Sequence, residues 1–266
     1  MTGKSLLLLR LICGGMMLLL IGACASGPKV SNDFVEQKAT IEKVAVISDV
    51  AVSYDVEGDL HQIDIAECKM LGNDINRLIQ SGLIEKGWKA DNTEVSSVGI
   101  FLDDALQFKT VNKPGQSGSQ DPAVEHAPFY IKEDFAQDAA VKDALKTLYQ
   151  SLDKYDIKAT DLPATFLKEA TIIGKQLDCD AMAVVMVGGN AVPLGKTLKQ
   201  AITTSIMTLG IASVYQTSLV QFKFFVLDTK SGKVLLADED YRKGGLASRK
   251  EILDMANDLV EQVPQK

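Results

Sequence analysis

The chain has 266 residues, with 28 lysines and arginines against 35 aspartates and glutamates, for a formal net charge of −7. Such an acidic balance leaves no electrostatic footprint for nucleic acid, and an apolar content of 46 % is too high for a globally disordered chain. The length suits one large domain or two small ones.

The first 28 residues read MTGKSLLLLRLICGGMMLLLIGACASGP. Lys4 and Arg10 put positive charge near the start, and Leu11 to Ile21 form an apolar stretch. Small residues then lead to Cys24, as a signal peptidase requires of a chain it takes extended in a narrow groove. A membrane-spanning helix is the weaker reading, because Arg10 interrupts the run and Gly14, Gly15 and Gly22 weaken it. Ile21-Gly22-Ala23-Cys24 resembles a lipobox, the recognition sequence of signal peptidase II. The resemblance implies cleavage between Ala23 and Cys24 and acylation of Cys24 by palmitate-like chains, with Ile21 where leucine is commoner. Several chains, at about 0.8 kcal/mol per buried methylene, anchor far better than one. Ala25 in place of aspartate implies, by similarity to enterobacterial sorting, an outer-membrane location on the periplasmic face. Without residues 1–23 the chain keeps 26 basic and 35 acidic residues, near −9, so the lipid and not surface charge must hold it to a membrane.

Residues 24–40 are polar with one Gly-Pro and are read as a lipidated tether, leaving 41–266 as a single periplasmic domain. Ile41 to Ile47 predict a buried strand, Val50 to Val56 an alternating one, and Leu60 to Ile65 a returning strand after the turn at Glu57-Gly58-Asp59. Ala66, Met70, Leu71, Ile75, Leu78, Ile79 and Leu83 share one helical face, and Gly87 ends that helix. Val95 to Leu102 read as a strand, and 111–123 as a Gly/Pro/Ser-rich loop. Helices are predicted over 135–149 and from about Pro163 to Leu177. Ala181 to Val187 are continuously apolar, so both faces of that strand should be covered. Leu219–Leu227 and Lys233–Ala237 flank Asp228-Thr-Lys-Ser-Gly232 as a hairpin. Ser248 to Glu251 form a capping box ahead of a closing helix through Ile252, Ala256, Leu259, Val260 and Val263. Interleaved strands and helices define an α/β or α+β fold, with a mixed sheet of about five strands packed by amphipathic helices.

This order resembles the periplasmic α/β domain shared by the amino-terminal domain of TolB, the curli-secretion lipoprotein and related lipoproteins. The residues that carry the likeness are Lys43–Ile47, the helix ending Lys86-Gly87-Trp88, the helix ending at Gln176-Leu-Asp-Cys-Asp-Ala181, the Leu227–Val234 hairpin and the terminal helix. It spans about 41–102 and 160–264, with 103–159 as an insertion. The resemblance implies a non-enzymatic envelope-assembly or secretion accessory that binds protein partners. It supplies no catalytic residues.

No chemistry-bearing motif survives inspection. Gly189 and Gly195-Lys196-Thr197 follow a strand as in a phosphate loop, but the glycine spacing is one residue too long and Pro193 removes an amide. Asp55, Glu57 and Asp59, with Asp64 beyond, lack the glycine a calcium loop needs, since Leu60 occupies its place. His61 and His126 have no Cys or His at ligand spacing, so neither a metal nor a cofactor is expected. No Gly-x-Ser-x-Gly elbow occurs. Cys68 and Cys179, the thiols left beyond Cys24, have either a disulfide or two separate buried sites open to them. The most unusual stretch is 200–222, uncharged over 23 residues, with Leu198, Ile202, Ile206 and Leu209 at helical spacing. Its bland reading is a core helix followed by a buried strand. Its sharp reading is a membrane-inserting or oligomer-forming segment of a secretion pore, for which about 10 alternating residues make one barrel strand. A small-ligand-binding lipoprotein is the third alternative.

Overall fold

The computed structural model describes residues 28–32, 34–54, 61–111, 123–157, 166–191, 219–243 and 249–266. Its first elements are a two-residue strand, β1 (Lys29–Val30), and a short helix, α1 (Phe34–Thr40). A helix of one or two turns does not hold in water by itself. Phe34 stabilises it, buried to 2 % exposure with its ring 6.1 Å from that of Trp88. Residues 29–40 therefore dock on the domain, and the polar tether of the sequence reading is correspondingly shorter. Polarity concealed this because one aromatic anchor does the fastening.

The central strand is β2 (Val44–Tyr54), and its neighbours follow in chain order: β3 (Gln62–Asp64), α2 (Ile65–Glu85) and β4 (Ala90–Ser97). Asp64 begins α2 by accepting the Glu67 amide at 2.9 Å. Ile65, Cys68, Leu71, Ile75, Ile79 and Leu83 give it one buried face. It ends at Gly87, whose φ of +86° suits glycine, with Gly87 N–H donating to Ile84 O (2.9 Å) and Trp88 N–H to Leu83 O (3.0 Å). The pair satisfies two helix-end carbonyls and turns the chain into β4, which runs parallel to β2.

Next come β5 (Gln107–Val111), β6 (Ala123–His126), α3 (Glu133–Ala136), α4 (Ala139–Asp153) and α5 (Leu167–Leu177). The helix predicted over 135–149 is thus two pieces, because Asp138 accepts the Ala140 and Val141 amides and starts α4 afresh. The chain finishes with β7 (Ala181–Ala191), β8 (Leu219–Asp228), β9 (Val234–Lys243) and α6 (Arg249–Glu261).

The class is the expected α/β one, but among the described residues the sheet has nine strands, not about five. Its order is β1-β9-β8-β7-β2-β3-β5-β6, with β4 beside the first part of β2. β2 pairs in parallel with β4 and β7, while β7-β8-β9 form an antiparallel meander. Side-chain contacts assign the two faces. A Cβ on Gly72 of α2 would touch Ser48, Val50 and Ser96, and Arg242 meets Asp258 of α6. These residues mark the α2/α6 face. Asp49, Lys223 and Phe225 lie on the opposite face, where Lys223 pairs with Asp153 and Phe225 meets Tyr155. Helices α4 and α5 cover that face with Leu145, Leu148, Tyr149 and Ile173 buried. The result is a three-layer α/β/α sandwich whose central strands are apolar on both faces. Helix α4, within the segment 103–159 read from sequence as an insertion, buries Leu145, Leu148 and Tyr149 against this sheet.

Candidate functional site

Three polar arrangements stand out from the apolar core. The first centres on Asp49, the one acid within the buried part of β2. Ser97 Oγ donates to its Oδ1 at 2.8 Å and the Phe101 amide donates to Oδ2 at 2.9 Å. The amides of Gly99 and Ile100 also face the carboxylate, and Tyr149 closes over it from α4. Burial pushes the Asp49 pKa up to about 6, against the pull of the Phe101 and Ser97 hydrogen bonds. Burial likewise raises the Tyr149 phenol well above its ordinary value. Asp49 has 0 % exposure and Tyr149 1 %. The hydrogen bonds of Asp49 fasten the 99–101 turn to the sheet.

The second arrangement occupies the same face nearer the upper end, where β7 stops and β8 starts. Lys223 is buried and donates to the carbonyl of Asp153 and, at 3.2 Å, to its Oδ1. Gln221 donates to the Tyr241 hydroxyl at 3.0 Å, which in turn donates to Glu239 at 2.8 Å. Each donor has a named acceptor, so the lysine is a paired structural cation and not a free nucleophile.

The third is a shallow groove of about 570 Å³ between α2, α6 and β9. Leu78 and Leu253 give it an apolar floor, and Arg242, Glu251, Asp254 and Asp258 a charged rim. Arg242 spans Asp240 (3.5 Å) and Asp258 (3.2 Å) across it. Its walls are exposed ion pairs, which are individually weak.

The residues singled out from sequence fall differently. Ala23 and Cys24 lie outside the described residues, as do Leu198, Ile202, Ile206 and Leu209. The strands that flank the latter are placed: Asn190 pairs with Leu219, so residues 192–218 leave and re-enter the sheet at adjacent antiparallel positions. Gly189 belongs to β7, while Gly195, Lys196 and Thr197 lie outside the described residues, as do Asp55, Glu57, Asp59 and Ser248. Asp64 is a helix cap. His126 Nδ1 lies 2.9 Å from the Asp104 carbonyl. Among the described residues no group of three or more His, Cys, Asp or Glu is placed to hold a metal ion.

The structure places the two thiols at separate sites. Cys68 and Cys179 are both free thiols. Cys68 Sγ lies 3.6 Å from Val52 O, and Cys179 is hydrogen-bonded at Ala45, seven residues back along β2. At about 3.3 Å per residue the sulfurs sit near opposite ends of the strand, some 20 Å beyond what a disulfide spans. Burial raises both thiols to about 12.

Sequence reasoning overlooked Asp49 and Lys223. The available signal was a lone charge in each of two apolar runs, Val44–Val52 and Leu219–Leu227. A charge there must be buried with a partner or must break the strand.

No protein-family model matches the chain, and no curated protein matches it. Among solved structures, two crystal forms of a PelC dodecamer from Paraburkholderia phytofirmans align at TM-score 0.34 and 10 % identity. They cover 91 % and 85 % of this chain and 96 % and 89 % of theirs. Lipoprotein GNA1162 from Neisseria meningitidis aligns at TM-score 0.31 and 12 % identity, covering 82 % of this chain and 94 % of its own. At these values neither a family nor an activity transfers.

Proposed function

We propose that this protein is a lipid-anchored, non-catalytic component of the bacterial envelope that binds protein partners during assembly or secretion, held at the outer membrane through Cys24. The observation that carries the reading is Ile21-Gly22-Ala23-Cys24 at the end of an apolar stretch preceded by Lys4 and Arg10. The order of elements, which resembles that of the TolB amino-terminal and curli-secretion lipoprotein domains, agrees with it. The structure adds an α/β/α body in which the buried charges Asp49 and Lys223 are hydrogen-bonded to Ser97 and Asp153. Cells fed an alkyne analogue of palmitate test the anchor. The wild-type chain should take up the label and partition into detergent, and Cys24→Ala should lose both properties. An unlabelled wild-type chain, or turnover of an envelope substrate by the purified protein, refutes the proposal.

One observation favours a second reading, an oligomeric pore component. The uncharged stretch 200–222 joins two neighbouring antiparallel strands, so extending both would make a continuous hairpin of the kind barrels are built from. A large, discrete species extracted in mild detergent would support it.

A further inference from the structure

We infer that the end of the sheet formed by Tyr54, Ala191, Leu219 and Lys243, together with the adjoining edge of β9, is the surface that faces the lipid bilayer. The inference rests on the Cys24 anchor proposed above and on the way β1 is held. Lys29 pairs with Ala237 and Val30 with Leu236, antiparallel to β9. Ser31 N–H adds a bond to Leu235 O at 2.9 Å. The chain therefore reaches β1 from the Lys243 side of the sheet and passes along it toward Val234.

Only five peptide steps separate Lys29 from Cys24. Even fully extended they span about 18 Å. From the level of Ala237 to that of Lys243 is roughly 20 Å of strand. Fully extended, the anchor comes just short of the level of Lys243, so the body has no room to stand off from the membrane and its β9 edge is drawn toward the lipid with the upper end.

The opposite end is closed to the anchor. There α1 packs Phe34 on Trp88, and Trp88 Nε1 donates to Pro264 O at 3.1 Å. Lys38 Nζ donates to Gln265 O at 2.9 Å, and Lys266 N–H to Lys86 O at 3.0 Å. To reach that end, the anchor would have to reverse direction within four residues and then pass this plug. An independent observation points the same way. Residues 192–218, uncharged from Gln200 onward, connect β7 and β8 from the upper end of the sheet, where Asn190 pairs with Leu219. At this end Asp240 pairs with Arg242 (3.5 Å), so the exposed charges of the β9 edge offset one another and the fitting partner is a zwitterionic phospholipid face.

The test uses the full-length acylated protein, extracted from membranes and returned to phosphatidylethanolamine-rich vesicles that carry nitroxide-headgroup lipid. A fluorophore is attached through Arg242→Cys or Asp240→Cys at the upper end, and through Lys230→Cys in the β8–β9 turn at the lower end. The native thiols Cys68 and Cys179 are protonated at the labelling pH and stay largely unlabelled. Both upper probes should be quenched roughly twofold or more over the lower one, since the body is comparable in height to the bilayer's hydrocarbon core. Inserting about ten Gly/Ser residues after Ser26 should abolish the difference. Equal quenching at the two ends, or stronger quenching at Lys230→Cys, overturns the orientation while leaving the anchor intact. A chain that does not float with the vesicles removes the anchor and the orientation with it.

Discussion

Asp49 shows how one residue ties stability to pH. Its folded pKa, about 6, lies above its ordinary value of 3.8 because burial penalises the charge. The folded state therefore binds a proton that the unfolded state has released between those two values. Stability from this group is present at low pH and is lost as pH rises through 6. Asp238, also raised to about 6 by burial and by the neighbouring charges of Asp240 and Glu239, acts in the same direction. Melting followed from pH 8 to pH 5 should show Tm rising, with Asp49 contributing on the order of 2 kcal/mol. Asp49→Asn should flatten much of that rise, and an unchanged slope in the variant would reject the assignment. The thiols give a second prediction at this scale. Purified in air without reductant, the described domain should yield both Cys68 and Cys179 to a maleimide after unfolding. A mass two protons lighter would contradict the separation along β2.

At the scale of elements, the contact between α2 and α6 depends on the missing side chain of Gly82. A Cβ there would lie 2.7 Å from Val260, inside any real contact distance. Gly82→Leu should force the helices apart and cost about 1–3 kcal/mol, read as a lowered denaturation midpoint. The paired variant Gly82→Ala with Val260→Ala should recover most of the loss. The elements also show what the sequence disclosed. Helix α2 was legible to within two residues because its apolar face and Gly87 agree, while the Asp64 cap shows only in the structure. The β8–β9 hairpin was legible from Gly232, which has a φ of +68°. Strand β3 falls within the returning strand read at Leu60–Ile65, whereas β1, β5 and β6 have two to five residues each and show too little alternation for a period to be seen. Strand β4 begins Ala90-Asp-Asn-Thr-Glu, which reads as a loop, and it is a strand because backbone pairing with β2 decides it. The internal charges Asp49 and Lys223 were visible as letters, but their partners at Ser97 and Asp153 come from elements about 50 and 70 residues away. Only the fold brings them together.

For the whole molecule, the two functional readings divide on native mass. A tethered adaptor should leave membranes in mild detergent as a monomer or dimer. A pore component should leave as a discrete ring, and charged substitutions at Ile202 and Ile206 should then dissolve the ring while sparing the melting of the α/β/α body. If those substitutions instead unfold the body, the segment belongs to its core and the pore reading fails.

The pairing of β2 with β7 reaches furthest. Lys43 and Asp180, which meet at the foot of these strands, are 137 residues apart in sequence. If the chain is exported as proposed, it crosses the inner membrane amino terminus first, so β2 emerges long before the strand that will flank it. Until β7 follows, one of the most apolar segments of the protein has a bare edge in the periplasm, open to any other extended chain. On that reading the edge needs a holding chaperone from the moment of secretion, and depletion of such chaperones should trap this protein as aggregate before the proposed anchor is sorted.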